Sequence, residues 1–258
     1  MDKKNFTAKL SAVILLLMLS FGVIFSFAEL KQQADTKDKK GLIKYSDGRV
    51  RKKQLEDQDW QPAQINSSVL SGDRVRTYVR SRAELQLLEL DIVRMAPETI
   101  IDIIKLYEET KTKKSETQIN IEQGDVWAKI NKKDKESKFD ISAPVAVAAI
   151  TGTVLRMSVS ADSSTQLKVY NGEVKITNAP EKTNLTPRII GVHEVPGPHE
   201  VPGPREVSLD EWVYIVRNMQ KIILDKRGNI KNVSDFSLTD QDEQTDWVKW
   251  NLQRDKLK

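Results

Sequence analysis

The stretch LSGDRVRT (residues 70–77) sets a glycine before an acid and then an alternating run, and the same order returns as EQGDVW (122–127) and VYNGEVKI (169–176). Glycine tolerates the positive φ that a tight turn demands, while apolar residues at every second position describe a strand with one buried face. Val75, Val126, Val174 and Ile176 hold those apolar positions. Three such units predict a scaffold of short strands joined by β turns, and none of them resembles a catalytic motif.

The period of two continues outward from these turns. Ala83, Leu85 and Leu87 share one strand face, with Glu84 and Gln86 on the other. Val126, Ala128 and Ile130 oppose Trp127 and Lys129, and Val145, Val147 and Ala149 form a third set. Pro97 and Pro144 punctuate the series, because proline donates nothing to a ladder and sits at strand starts or edges. Leu42 to Tyr45 and the residues around Val50 alternate as well, and the Asp47-Gly48 pair between them suits a hairpin turn. EETKTKKSETQ (108–118) has no apolar residue and is expected as a protruding, solvated hairpin loop.

The chain has 258 residues, 30% of them charged and 39% hydrophobic, a balance that supports a folded core. Its net charge is +4, and Lys3, Lys4 and Lys9 against Asp2 supply half of that within the first nine residues. Elsewhere both signs are interspersed, so nucleic acid is not an expected partner. There is no cysteine, which excludes disulfides, thiolate chemistry, cysteine-held metals and a lipidated-cysteine anchor.

Lysines in the first nine residues precede LSAVILLLMLSFGVIFSFA (10–28), which carries no charge. A basic start before an apolar run is the pattern of a secretion signal, and Ser26-Phe27-Ala28 suits signal peptidase. The run also approaches the roughly 20 residues that cross a bilayer as a helix, so a signal anchor fits too. Either form exports the chain beyond about residue 29 and associates the N-terminus with a membrane. Residues 29–40 read as a polar linker.

Beyond the three turns, SRAELQL (81–87), IVRMAPET (92–99), FDISAP (139–144) and ITGTV (150–154) complete an ordered set over about 110 residues that resembles a FecR domain. The resemblance implies an extracytoplasmic, β-rich module. The family's best-known member relays occupancy of an outer-membrane iron-siderophore receptor to a cytoplasmic sigma factor through a cytoplasmic arm. Here only Met1 to about Lys9 precedes the apolar run, too short to hold a sigma factor by burial. The resemblance therefore points to an envelope protein with a FecR domain and no anti-sigma arm.

After Thr177 the texture changes. HEVPGP (193–198) repeats as HEVPGP (199–204), and proline around glycine suits a semi-rigid spacer. Both histidines of the chain lie there. A metal clip from His193, His199, Glu194 and Glu200 is outweighed by a duplicated linker, since two ligands in a flexible segment bind weakly. Trp212 to Val216 and Lys221 to Leu224 are β-compatible, with Lys226 to Asn229 as a turn, although Ser208 to Glu211 also fits a capping box. Thr239 is expected to cap a final helix that opens on Asp240, Asp242 and Glu243 and closes on Arg254, Lys256 and Lys258. Trp247 and Trp250 share one of its faces.

Aromatic residues raise a sugar-stacking platform as an alternative. Trp60, Trp127 and Trp212 sit in strand-like contexts where packing is the default, and Trp247 and Trp250 most simply dock the last helix. The acid pairs Asp57 with Asp59 and Asp240 with Asp242 lie where solvation and capping explain them. Gly152-Thr153 lacks the Gly-Lys-Ser/Thr of a phosphate loop and reads as a β turn. No catalytic, cofactor-binding or metal-binding residue is assigned, and no enzyme is expected.

The expected protein is mainly β, a curled or solenoid-like stack of short strands, with an N-terminal hydrophobic helix and a C-terminal α-helix. Its parts are a leader or anchor (1–28), a linker (29–40), a FecR-like β domain (41–178), a Pro/Gly spacer (179–207) and C-terminal strands with an amphipathic helix (208–258). It is expected in the cell envelope, facing the periplasm, as a non-enzymatic interaction or signalling-accessory module. An envelope or membrane protein is the expected partner, and an adhesive or peptidoglycan-binding role is the alternative.

Overall fold

A computed structural model of the chain describes residues 41–88, 91–108, 114–131, 136–178 and 213–256. The expected N-terminal hydrophobic helix, the linker after it and the His-containing repeats fall outside these residues. No described helix is long and apolar enough to cross a membrane.

The described chain is mainly β and forms two sheets. In spatial order, sheet I holds β4 (Ser68–Val69), β1 (Gly41–Asp47), β6 (Arg82–Gln86), β7 (Ile92–Met95), the second half of β9 (Ser115–Lys129), β12 (Val154–Val159), β13 (Thr165–Asn171), β16 (Gln220–Leu224) and β17 (Ile230–Asp235). Sheet II holds β3 (Gln61–Pro62), β2 (Val50–Gln54), β5 (Asp73–Thr77), β8 (Ile100–Glu108), the first half of β9, β10 (Lys138–Ala143), β11 (Ala146–Ile150), β14 (Glu173–Thr177) and β15 (Val213–Arg217). Every pairing is antiparallel except β9 with β10. The two sheets share β9, and neither closes into a barrel, since no pairing among the described residues joins β4 to β17 or β3 to β15.

The chain passes repeatedly from one sheet to the other, and a residue with positive φ marks nearly every passage. Gly48, Asn66, Gly72, Arg80, Glu98, Gly124, Gly152, Gly172 and Met219 all lie at such crossings, whereas Ser163 and Gly228 lie in hairpin turns within sheet I. The turns at Gly72, Gly124 and Gly172 are therefore corners between sheets. Gly124 shows why the residue type matters. Gln123 is the last β9 residue paired in sheet II and Gly124 the first paired in sheet I, at φ +100°. A Cβ there would stand 2.5 Å from Thr99 Cα and press on its hydroxyl, which accepts the Asp125 N–H at 3.0 Å.

The alternation buries one face of each sheet against the other. Ile43, Leu85, Val93, Val126, Ala128, Leu155, Leu167 and Ile222 of sheet I meet Val75, Ile101, Ile119, Ile121, Ile141, Val174, Ile176 and Val216 of sheet II in one apolar core. Burial of these side chains supplies the main driving force, about 1.5–3 kcal/mol for each valine, leucine and isoleucine.

Two local expectations are corrected. Asp47-Gly48 does not make a hairpin: β1 pairs with β4 and β6, β2 pairs with β3 and β5, and the turn carries the chain between sheets, held by Arg49 N–H to Ser81 Oγ at 2.8 Å. The 108–118 segment is not all loop either. Ser115 to Gln118 begin β9, with Ser115 and Thr117 buried, because β10 pairs alongside them in parallel. After residue 213 the chain is in strands, as expected, and β15, β16 and β17 extend the sheets begun earlier.

Candidate protein-interaction surface

The outward face of sheet I carries a row of side chains set by register. Glu84 on β6 stands beside Arg94 on β7, then Trp127 on β9, Arg156 on β12, Lys168 on β13 and Lys221 on β16. In the sequence each occupies the polar side of an alternating strand. Four cations and one acid on adjacent strands would repel across the pleat unless neutralised. Asp125 on β9 answers Arg156, and the chain brings the other acids from its own C-terminal segment.

After β17, Phe236 turns over the edge of the row, a 3₁₀ turn (Gln241–Glu243) crosses it, and helix α1 (Asp246–Lys256) lies on its far end. Lys168 Nζ donates to Asp242 at 2.5 Å and to Glu243 at 2.6 Å, and the Tyr170 hydroxyl donates to the other Glu243 oxygen at 2.6 Å. The Lys168 contact holds the Asp242 carboxyl below the usual carboxylate range. Burial and the Glu243 charge push the Tyr170 phenol well above its ordinary value. Arg156 is bound by Asp125 through Nε at 3.0 Å and Nη2 at 2.5 Å.

A second cluster sits under α1. Arg94, fully buried, donates to Glu84 at 2.7 Å and to Asp255 at 2.8 Å, while Arg254 reaches the same Glu84 oxygen at 3.0 Å. Trp127 Nε1 donates to the second Asp255 oxygen at 2.9 Å. The aromatic rings fill the space between the two clusters. Trp127 lies 4.3 Å from Tyr170 between centroids, Tyr170 meets Phe236 edge-on at 5.2 Å, and Trp247 stacks with Trp250 at 5.5 Å. Here acids are matched to cations or N–H donors, an arrangement suited to fixing a helix on a sheet.

The tryptophan expectations divide accordingly. Trp127 packs, and Trp247 and Trp250 dock the helix; Trp60 is half-buried with Lys53 over its ring, and Trp212 lies outside the described residues. His193, His199, Glu194 and Glu200 lie outside them too, and no described group of acids or histidines is placed to hold a metal. Asp57 and Asp59 are exposed. Gly152-Thr153 is a turn whose Thr153 hydroxyl donates to the Glu173 carbonyl at 3.0 Å.

The expected cap is corrected. Thr239 bonds Ser237, and α1 starts later in the chain, where Thr245 Oγ1 receives the Val248 N–H at 3.4 Å. Asp240 and Asp242 do not open α1; they lie at the start of the 3₁₀ turn that precedes it. Asp240 receives the Ser237 N–H at 3.0 Å, and Asp242 is committed to Lys168. Sequence reasoning missed this long-range use. The available signal was Trp127 and Tyr170 standing among cations on the supposedly solvated side of their strands.

Fold and face together define a two-sheet β module covered on one side by its own acidic C-terminal segment. Residues 73–175 match the family model described as FecR protein, so the chain carries a FecR domain from the start of β5 into β14. No curated protein matches the sequence. Two crystal structures of a candidate anti-sigma factor from Parabacteroides distasonis, at 1.65 and 2.50 Å resolution, are similar at 13% identity with a TM-score of 0.42. Each alignment covers 63% of this chain and 59% of the other, so the chain spans about three-fifths of the length of those proteins.

Proposed function

We propose that this chain is an exported, non-enzymatic FecR-type module of the cell envelope that acts by binding a protein partner in signalling. The observation that carries this reading is the FecR match over residues 73–175, which coincides with the strands from β5 into β14. The basic start and uncharged run of residues 1–28 support export, because they are the pattern that directs a chain through the inner membrane. The matched strands place their charged residues in structural pairs, which suits a rigid recognition module.

The test has two parts. Alkaline phosphatase fused to the C-terminus is expected to be active, since it folds only after export, and chemical crosslinking in intact cells is expected to join the chain to a membrane protein. An inactive fusion refutes the export reading. Sedimentation with purified peptidoglycan, without any crosslinked protein, refutes the signalling reading and leaves the wall-binding one.

A further inference from the structure

The two sheets end differently at their two rims. At one rim the outermost strands are β3 and β4, two residues each. Such stubs blunt an edge against pairing with other chains. At the other rim sheet I ends on β17, six residues long, which among the described residues pairs on one side only, with β16. Ile230 at its start is 40% exposed.

The hydrogen-bond phase shows which backbone groups of β17 are open. Phe236 N–H bonds Met219 O at 2.9 Å, which makes Gln220 with Asp235 and Ile222 with Val233 the wide pairs of the ladder. In wide pairs the N–H and C=O groups point away from the partner strand, so those of Val233 and Asp235 face outward. Lys231 is the bulged residue, skipped by the register between Ile223 and Leu224.

The sequence of this edge is complementary to itself. In an antiparallel copy centred on Val233, Val233 meets Val233 and Lys231 meets Asp235 at both ends. Neither Lys231 nor Asp235 forms an ion pair with a described residue, and both are exposed. Charges on an edge strand ordinarily discourage pairing; in this register each meets its opposite. We infer that β17 is a two-fold self-association edge, through which a second copy of this chain continues sheet I. This inference does not depend on the FecR reading.

The full-length chain, which contains no cysteine, allows a clean register test. Val233→Cys would face its own copy at the roughly 5.5 Å Cα separation of a hydrogen-bonded antiparallel pair, within disulfide range. Asn232→Cys, two positions out of step with its copy, would lie beyond the roughly 7 Å limit. Oxidation is expected to give a covalent dimer for Val233→Cys and monomer for Asn232→Cys. Independently, Lys231→Asp should weaken dimerisation roughly tenfold by sedimentation velocity, and the double variant Lys231→Asp/Asp235→Lys should restore it. Monomer at tens of micromolar, equal crosslinking at both cysteines, or no recovery in the double variant each overturns the inference.

Discussion

Replacing Arg94 with methionine tests whether the charged face of sheet I holds the C-terminal helix. Methionine keeps most of the volume and removes the guanidinium. It would strip Glu84, 1% exposed, of its fully buried cation, leaving the more exposed Arg254 on the same carboxyl oxygen, and would take one cation from Asp255. Removing one partner of a buried ion pair costs about 3–5 kcal/mol, because the other charge stays out of water uncompensated. Arg94 Nη2 has no hydrogen-bond partner among the described residues, so losing it relieves one unmet donor and favours the lower end of that range. For a chain of this size that is a fall in Tm of roughly 6–20 °C. The penalty has a ceiling, because α1 can lift off and return Glu84 and Asp255 to water. The expected outcome is therefore a cooperative loss of α1 protection before global unfolding, seen as faster hydrogen exchange over residues 246–256 and proteolysis within 237–245. Arg94→Met/Glu84→Gln should recover part of the loss, since no buried carboxylate is then stranded. A Tm change below about 3 °C, with exchange over 246–256 unaltered, would refute the reasoning.

Gly124→Ala should cost more than about 3 kcal/mol, since φ is +100° and the new methyl meets Thr99 backbone, whereas Gly72→Ala meets only the end of the exposed Gln54 side chain, Oε1 at 2.9 Å, and should cost about half as much or less. Urea denaturation of the two variants checks the order, and equal losses would sink the corner argument. Asp140 on β10 has its pKa pushed up to about 6, chiefly by burial and further by Glu116, with Lys138 opposing. Its folded value lies above the unfolded one, so between about pH 4 and 6 the native state binds the extra proton and stability falls as pH rises. Asp140→Asn should remove that slope, raising Tm above pH 6 and leaving it nearly unchanged below pH 4; a parallel shift at all pH values would contradict the assignment.

What could be read from the sequence was the strand and the turn, and what could not was the partner of each strand. Gly72, Gly124 and Gly172 announce positive φ, but a left-handed residue serves a hairpin and a sheet-to-sheet corner equally well. Choosing between them requires knowing that β1 lies beside β6, some 40 residues on, which no local pattern states. Val126, Ala128 and Ile130 were legible as core because the period of two assigns them one face. Their neighbour Trp127 was legible as packed, yet not what packs on it, since Asp255 lies 128 residues away. The helix start failed for a related reason. TDQDEQTD offers two threonine-aspartate pairs, at 239–240 and 245–246, with equal capping chemistry. Lys168 decides between them by drawing Asp242 and Glu243 down onto β13, which bends the first candidate turn into 3₁₀ geometry and delays α1 to Asp246.

The FecR match stops at residue 175, while both sheets continue beyond it and sheet I runs to residue 235, and this mismatch gives the C-terminal segment a physical task. Without β15, β16 and β17 the sheets would end on β13 and β14, leaving open edges of seven and five residues. The row from Arg94 to Lys168 would also face water with only Glu84 and, beside Arg156, Asp125 as its acids. The appended strands pair with these two edges and move the rim of sheet I out to β17, and Asp242, Glu243 and Asp255 cover the charged row. Both are covered by residues more than 30 positions beyond the match, so the rim at β17 is a property of the whole chain and not of its FecR stretch alone. Among the described residues the row from Glu84 to Lys168 on the outer face of sheet I is occupied from within, so a partner that reads this module is expected at another surface, such as the outer face of sheet II or the rim at β15 and β17.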